Sequence, residues 1–346
     1  MHRCLVALVL ASAMVVAPRS LQAQDAGGIP QSVIGSTRPL DSQQVAQIRA
    51  FVDQWTAQLL EGDVEEVSKA RAELTKPLSG PSVSNAAIFL RQFSDAALPS
   101  LKTAVQGDSL HRAVNALIVI RSLRTPEAVE FLLARADPRT EARIPIRIRA
   151  ASLLADTIIE ADLPPAQLDS AIRQVAAAAA RETDWLAMLH DFGVLSRIAV
   201  QPKLPSSSVA MALDGEAAAL RAAVDLLASA GTASDLMHGV SRCIIVARDQ
   251  FRDMPASEVK SFRLKLAPML LKVNEIAAAH WDEAQADPAL RKSYGDAVSN
   301  SELLLKLTNE KISTDLRSAW QSQDRSAFDR DLAVWKEALK RPPFTG

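Results

Sequence analysis

Cysteine is nearly missing from this sequence: Cys4 and Cys243 are the only two in 346 residues. Once the N-terminal segment is set aside, Cys243 is alone, so an intrachain disulfide is excluded and stability must come from packing. Glycine is scarce, with 12 residues, and tyrosine occurs once. Strands favour β-branched and aromatic side chains, so a chain with 4% aromatics and abundant alanine and leucine points to helices. Charge of one sign is lacking as well, with 39 basic against 40 acidic residues. Such a balance offers no cationic footprint for nucleic-acid phosphates, and nucleic acid is not an expected partner. A Gly-rich phosphate loop, a Gly-x-Ser-x-Gly elbow, a His-Glu-x-x-His pair, a Cys-x-x-Cys pair and an Asp/Asn-rich calcium loop are all absent. No catalytic, cofactor-binding or metal-binding residues are therefore assigned.

One long apolar run is present, and it sits at the start. Met1, His2 and Arg3 precede an apolar stretch from Cys4 to Ala17, which Pro18 breaks and Leu21-Gln22-Ala23 closes on a small residue. That layout is expected of a secretory signal peptide over residues 1–23, cleaved after Ala23. The run is too short for the ~20 residues of a membrane span. Cleavage would remove Arg3 and Arg19 and no acid, leaving 37 basic against 40 acidic residues in an exported chain. The expected destination is the periplasm or the outside of the cell.

Residues 24–40 hold Gly27, Gly28, Pro30, Gly35 and Pro39 without apolar period, and are expected to form a flexible leader. Helical grammar begins at Asp41, which with Gln44 makes a capping box before the stripe Val45, Ile48, Val52, Trp55, Leu59. Asp63 and Glu66 cap the next helix. Thr125-Pro126 and Asp287-Pro288 each place a cap before a proline at the first helical position. Helices are expected near 83–105, 109–123, 126–136, 146–160, 165–180, 183–199, 208–230, 234–252, 256–285, 288–310 and 313–340. Ile144, Ile146 and Ile148 alternate like a strand, but the following Ala-rich run favours a helix start. The stripe from Val259 to His280 runs through Pro268. The Pro/Ser-rich loop 201–208 divides a region 41–200 from a region 206–346, the latter either more of the same array or a helical bundle.

The segment 97–156 resembles HEAT repeats, the antiparallel helix pairs that stack into α-solenoids. Ala97-Leu98-Pro99-Ser100-Leu101 resembles a first helix, Gly107-Asp108 a turn, and the run from Leu110 to Leu117 a second helix. Residues Ala128–Leu133, Asp137 and Arg149–Leu154 resemble the next unit. The resemblance implies an all-α array and an Asp–Arg ladder through Asp108, Asp137, Arg112 and Arg149. It implies no chemistry, because most members of the class bind partners and a few are enzymes.

The residues able to carry chemistry each have a structural alternative. Cys243 lies on the stripe Leu236, Val240, Cys243, Ala247, Phe251, which suits a buried inert thiol. His111, His190, His238 and His280 are too far apart for a local ligand pair. His280 and Glu283 stand one turn apart, and His190-Asp191 diverge around a helix. Glu61, Asp63, Glu65 and Glu66 gather where acids favour a helix N-terminus. Arg139, Arg143, Arg147 and Arg149 form the densest basic cluster, with Asp137 and Glu141 as natural partners. Trp320, and Trp335 on the stripe Phe328, Leu332, Trp335, Leu339, fit a capping helix; exposed, they would suit a partner groove or a sugar platform.

The leading expectation is an exported, non-enzymatic scaffold that holds a protein or peptide partner on second helices such as 109–123 and 146–160. The alternative is an extracytoplasmic all-helical lyase or hydrolase acting on carbohydrate or peptide, which would need a pocket joining His190 or His238 to carboxylates from separate helices.

Overall fold

The computed structural model describes residues 28–80, 86–254 and 256–344. The expected signal peptide lies outside them, as do residues 24–27 of the leader. Among the described residues there are sixteen α-helices and no strand.

Six helix pairs follow one another. They are α2 (Ser42–Glu61) with α3 (Val64–Thr75), α4 (Ala87–Gln106) with α5 (Leu110–Leu123), and α6 (Pro126–Ala136) with α7 (Ile144–Glu160). Next come α8 (Pro165–Ala179) with α9 (Trp185–Ala199), and α10 (Ser206–Ser229) with α11 (Leu236–Asp249). In the last pair, α12 (Ala256–Ala279) joins α14 (Pro288–Thr308) through the short α13 (Trp281–Ala286). A turn α1 (Gln31–Ile34) precedes them, and α15 (Leu316–Gln321) and α16 (Arg325–Ala338) follow.

The second helices α3, α5, α7, α9, α11 and α14 each pack on the next, forming one unbroken layer. First helices α6, α8, α10, α12 and α16 do the same on the other side, as do α2 and α4. The chain is thus a helical-repeat array in which each pair buries its apolar face on its neighbours. Packing does not lapse at the Pro/Ser loop, because α8 meets α10 and α9 meets α11 across it.

Local chemistry explains most boundaries. Asp41 and Asp63 each form a complete capping box, with Gln44 and Glu66 respectively. Thr125 and Asp287 cap ahead of their prolines. The alternating isoleucines are helical from Ile144 onward.

Three expectations change. The helix expected over 313–340 is two, because Gln323 takes a left-handed φ of 58° and Asp324 then caps α16 by accepting from the Ala327 N–H. The helix expected over 256–285 breaks at His280, whose φ of −102° and ψ of 26° separate α12 from α13. The described part of the leader, expected to be flexible, is anchored: Ile29, Val33 and Ile34 are buried in the common core.

Candidate functional site

The expected ladder is present in altered form. Arg112, at the start of α5, donates to the Glu61 and Gly62 carbonyls at 3.1 and 3.0 Å. Arg143, just before α7, donates to the Val105 and Gly107 carbonyls at 2.8 and 2.9 Å. Each arginine thereby satisfies carbonyls at the C-terminus of the preceding first helix, where the helix dipole favours a cation. Asp137 accepts from Arg139 and, at 3.2 Å, from Arg181 of the next pair. Asp108 is not hydrogen-bonded to Arg112, and Arg149 takes no rung. At Arg112 and Arg143, helix-end carbonyls, which carry no side-chain signature, replace the aspartates that the resemblance had implied, while Asp137 keeps an aspartate–arginine contact to the next pair through Arg181.

Of the four arginines in the basic cluster, three are engaged. Arg139 pairs with Asp137, and Arg143 pairs with Glu141 at 2.8 Å. Arg147 is buried and grips Glu182 with two bonds of 2.7 and 3.0 Å. Arg149, on α7 in the second-helix layer, has no ion pair or side-chain hydrogen bond among the described residues, and its Nε is buried without a partner. Burial, and then the charge of Arg71 on α3, hold its guanidinium below the usual arginine range. Arg71 and Arg149 thus come from helices flanking α5, the charge of the first acts on the second, and neither forms an ion pair among the described residues. Between them, α5 carries Asn115, whose Oδ1 is also buried without a partner. Farther along the same layer the charges are balanced, since Asp156 receives Arg121 and Arg197 while Glu160 receives Arg121 and Arg124.

The remaining candidates are dispersed. His111 lies 3.4 Å from the Asn115 amide, and His238 packs edge-on against Trp185 with ring centroids 4.8 Å apart. His190 is half-buried, and that burial lowers its pKa with no carboxylate bonded to it. His280 Nδ1 lies 3.7 Å from Glu283, whose carboxylate also accepts from the Ala233 N–H at 2.7 Å. Among the described residues, no group of three or more His, Cys, Asp or Glu is arranged to hold a metal. Glu61, Asp63, Glu65 and Glu66 surround the capping box, with Asp63 accepting from the Glu65 and Glu66 N–H groups. Trp335 is fully buried and donates to Thr314 at 2.9 Å; Trp320 packs among Trp281, Tyr294 and Phe328. Neither indole offers an open platform.

Two acids are buried: Asp191, expected only as a neighbour of His190 that diverges from it around the helix, and Glu216, for which the sequence raised no expectation. Asp191 on α9 is 1% exposed and has no hydrogen-bond partner at either carboxylate oxygen. Burial drives its pKa well above the carboxylate range, Glu182 adds to this and Arg147 opposes it. Glu216 on α10 is 0% exposed and accepts one bond, from Gln250 at 2.9 Å. Burial raises its pKa too, against the Gln250 bond. Cys243 on α11 is buried nearby, and burial followed by the charges of Glu216 and Asp191 pushes its thiol far above the range of a nucleophile. The stripes held the missed signal, for Asp191 falls beside Met188, Phe192 and Leu195, and Glu216 falls between Leu213 and Leu220.

No family model and no curated protein matches the chain. Among solved structures it is similar to a designed armadillo repeat protein, YIII(Dq)4CqI, at 15% identity over 72% of this chain and 99% of that one, with a TM-score of 0.32. It is also similar, at 15% identity over 85% of this chain and 96% of that one, to a chain described under computational design of self-assembling cyclic protein homooligomers, with a TM-score of 0.19.

Proposed function

We propose that the chain is an exported, non-enzymatic scaffold whose second-helix layer holds a carboxylate-bearing segment of a protein or peptide partner. The observation that carries this is Arg149, whose Nε is buried without a partner and which forms no ion pair among the described residues, with the charge of Arg71 acting on it from α3. A guanidinium offers a planar fork of donors suited to a carboxylate, and one held without an anion beside a second cation gains most when an acid arrives. The balanced ribbon around Asp156 and Glu160 would fix register beside that contact. Export is supported by the layout of residues 1–23, and no helix of the described residues is long and apolar enough to cross a membrane.

The test is a crosslinking capture from the native envelope fraction with wild-type protein, the Arg71→Glu/Arg149→Glu variant, and a Gln174→Ala control on the first-helix layer. Wild type and control are expected to retain the same partner, and the double variant to lose it at least tenfold. Equal recovery by all three would move the contact off this face. N-terminal sequencing of the envelope protein is expected to begin at Gln24; recovery of the intact Met1 form alone would remove cleavage after Ala23, and absence of the protein from the envelope would remove export.

A further inference from the structure

Beyond the second-helix layer, a cavity of about 530 Å³ opens near the end of the array. It is bounded by the single turn Gln250–Arg252 after α11, the first turns of α12, the last turn of α14 and Pro343 in the segment after α16. Its wall is apolar, built from Phe251, Met254, Val259, Leu264 and Leu307. Leu307 is 36% exposed, which leaves apolar surface open to solvent at the cavity wall.

Two cations meet that apolar wall. The Arg263 guanidinium lies over the Phe251 ring, 4.9 Å from its centroid, and donates to the Leu307 carbonyl at 3.0 Å. Its Nε is buried and has no partner. Lys260 is exposed and, among the described residues, it forms no ion pair and no aspartate or glutamate lines the cavity. The volume is that of an ordinary small-ligand site, and the lining has the usual form of an apolar body with a few polar groups that fix orientation. A neutral apolar molecule would leave the cations unanswered, and a small inorganic anion would leave the wall wet.

We propose that this cavity binds a small amphipathic monocarboxylate, with its carboxylate at Lys260 and Arg263 and its apolar body against Phe251, Val259 and Leu307. The carboxylate-with-tail chemistry is shared by a free aliphatic acid and by the C-terminus of a peptide ending in an apolar residue.

The experiment is titration calorimetry on the full chain with octanoate, decanoate and decanol below their aggregation limits, and with a tripeptide ending in leucine as free acid and as amide. Decanoate is expected to bind at least tenfold more tightly than decanol, and about fourfold more tightly than octanoate for each added methylene that is buried. Lys260→Glu, at an exposed position, is expected to weaken decanoate at least tenfold while leaving the thermal midpoint unchanged. Tight binding of the peptide acid but not its amide or decanoate would assign the site to peptide termini. Equal binding of decanoate and decanol, an unaffected Lys260→Glu variant, or no binding by any probe would overturn the assignment.

Discussion

Asp191 occupies an apolar-stripe position on α9, and Glu216 does the same on α10, so both carboxyls face the core without a cation bonded to them. Their folded pKa values are raised, while an unfolded chain returns them to about 4. Above that value the folded protein retains protons that the unfolded chain has released. The contribution of these two groups to stability is therefore fully present below pH ~4 and falls as pH rises toward the raised values. The Asp191→Asn/Glu216→Gln variant is expected to flatten the fall in melting temperature between pH 5 and 8, with a gain on the order of 1–3 kcal/mol at pH 8 and little difference at pH 4. A wild-type slope that survives in the double variant would place the titration elsewhere. Side-chain chemistry was legible where it followed the stripe, as for Cys243. Glu216 was missed, because an acid among apolar residues reads as a solvated position until the opposing helices are known, and the burial of Asp191 was not legible from its place beside His190.

Helix boundaries were legible wherever a cap supplied the signal. Asp41, Asp63, Thr125 and Asp287 all mark starts through a hydrogen bond made within a few residues. The breaks at His280 and Gln323 carry no proline or glycine, and they depend on how α13 and α15 fold onto α14. Helix approach is likewise a property of pairs. Gly239 on α11 faces α9 so closely that an added Cβ would lie 2.8 Å from Met188 Cε, 2.9 Å from Trp185 Cβ and 3.0 Å from the Trp185 carbonyl. Gly239→Ala is expected to destabilise the protein by about 1–3 kcal/mol through overpacking against fixed backbone, which outweighs the gain in helix propensity. Chemical denaturation would check this, and a neutral or stabilising alanine would mean that α9 and α11 separate easily.

At the scale of the whole molecule, the sequence disclosed helices and the pairing over 97–156. It left open whether residues past 206 continue the array, since the arginine pattern fades there while the packing persists. Residues 28–200 and 206–346, expressed separately, would each expose apolar surface now shared between α8 and α10 and between α9 and α11. The separate pieces are expected to aggregate or lose helicity, and to recover a folded complex when co-expressed. Two independently cooperative monomers in sedimentation and circular dichroism would establish a domain border at the Pro/Ser loop.

The aromatic cluster at the far end gives this array an uneven optical signature. Trp281, Trp320 and Trp335 are buried there, whereas Trp55 and Trp185 are spread over the remaining pairs. Trp281 and Trp320 have ring centroids 4.8 Å apart, near enough for their transitions to couple and dominate the near-ultraviolet spectrum. Tryptophan emission therefore follows chiefly the closing helices, while far-ultraviolet ellipticity counts every turn. Any gap between the two melting curves measures how far disorder starting at one end travels before the other end gives way.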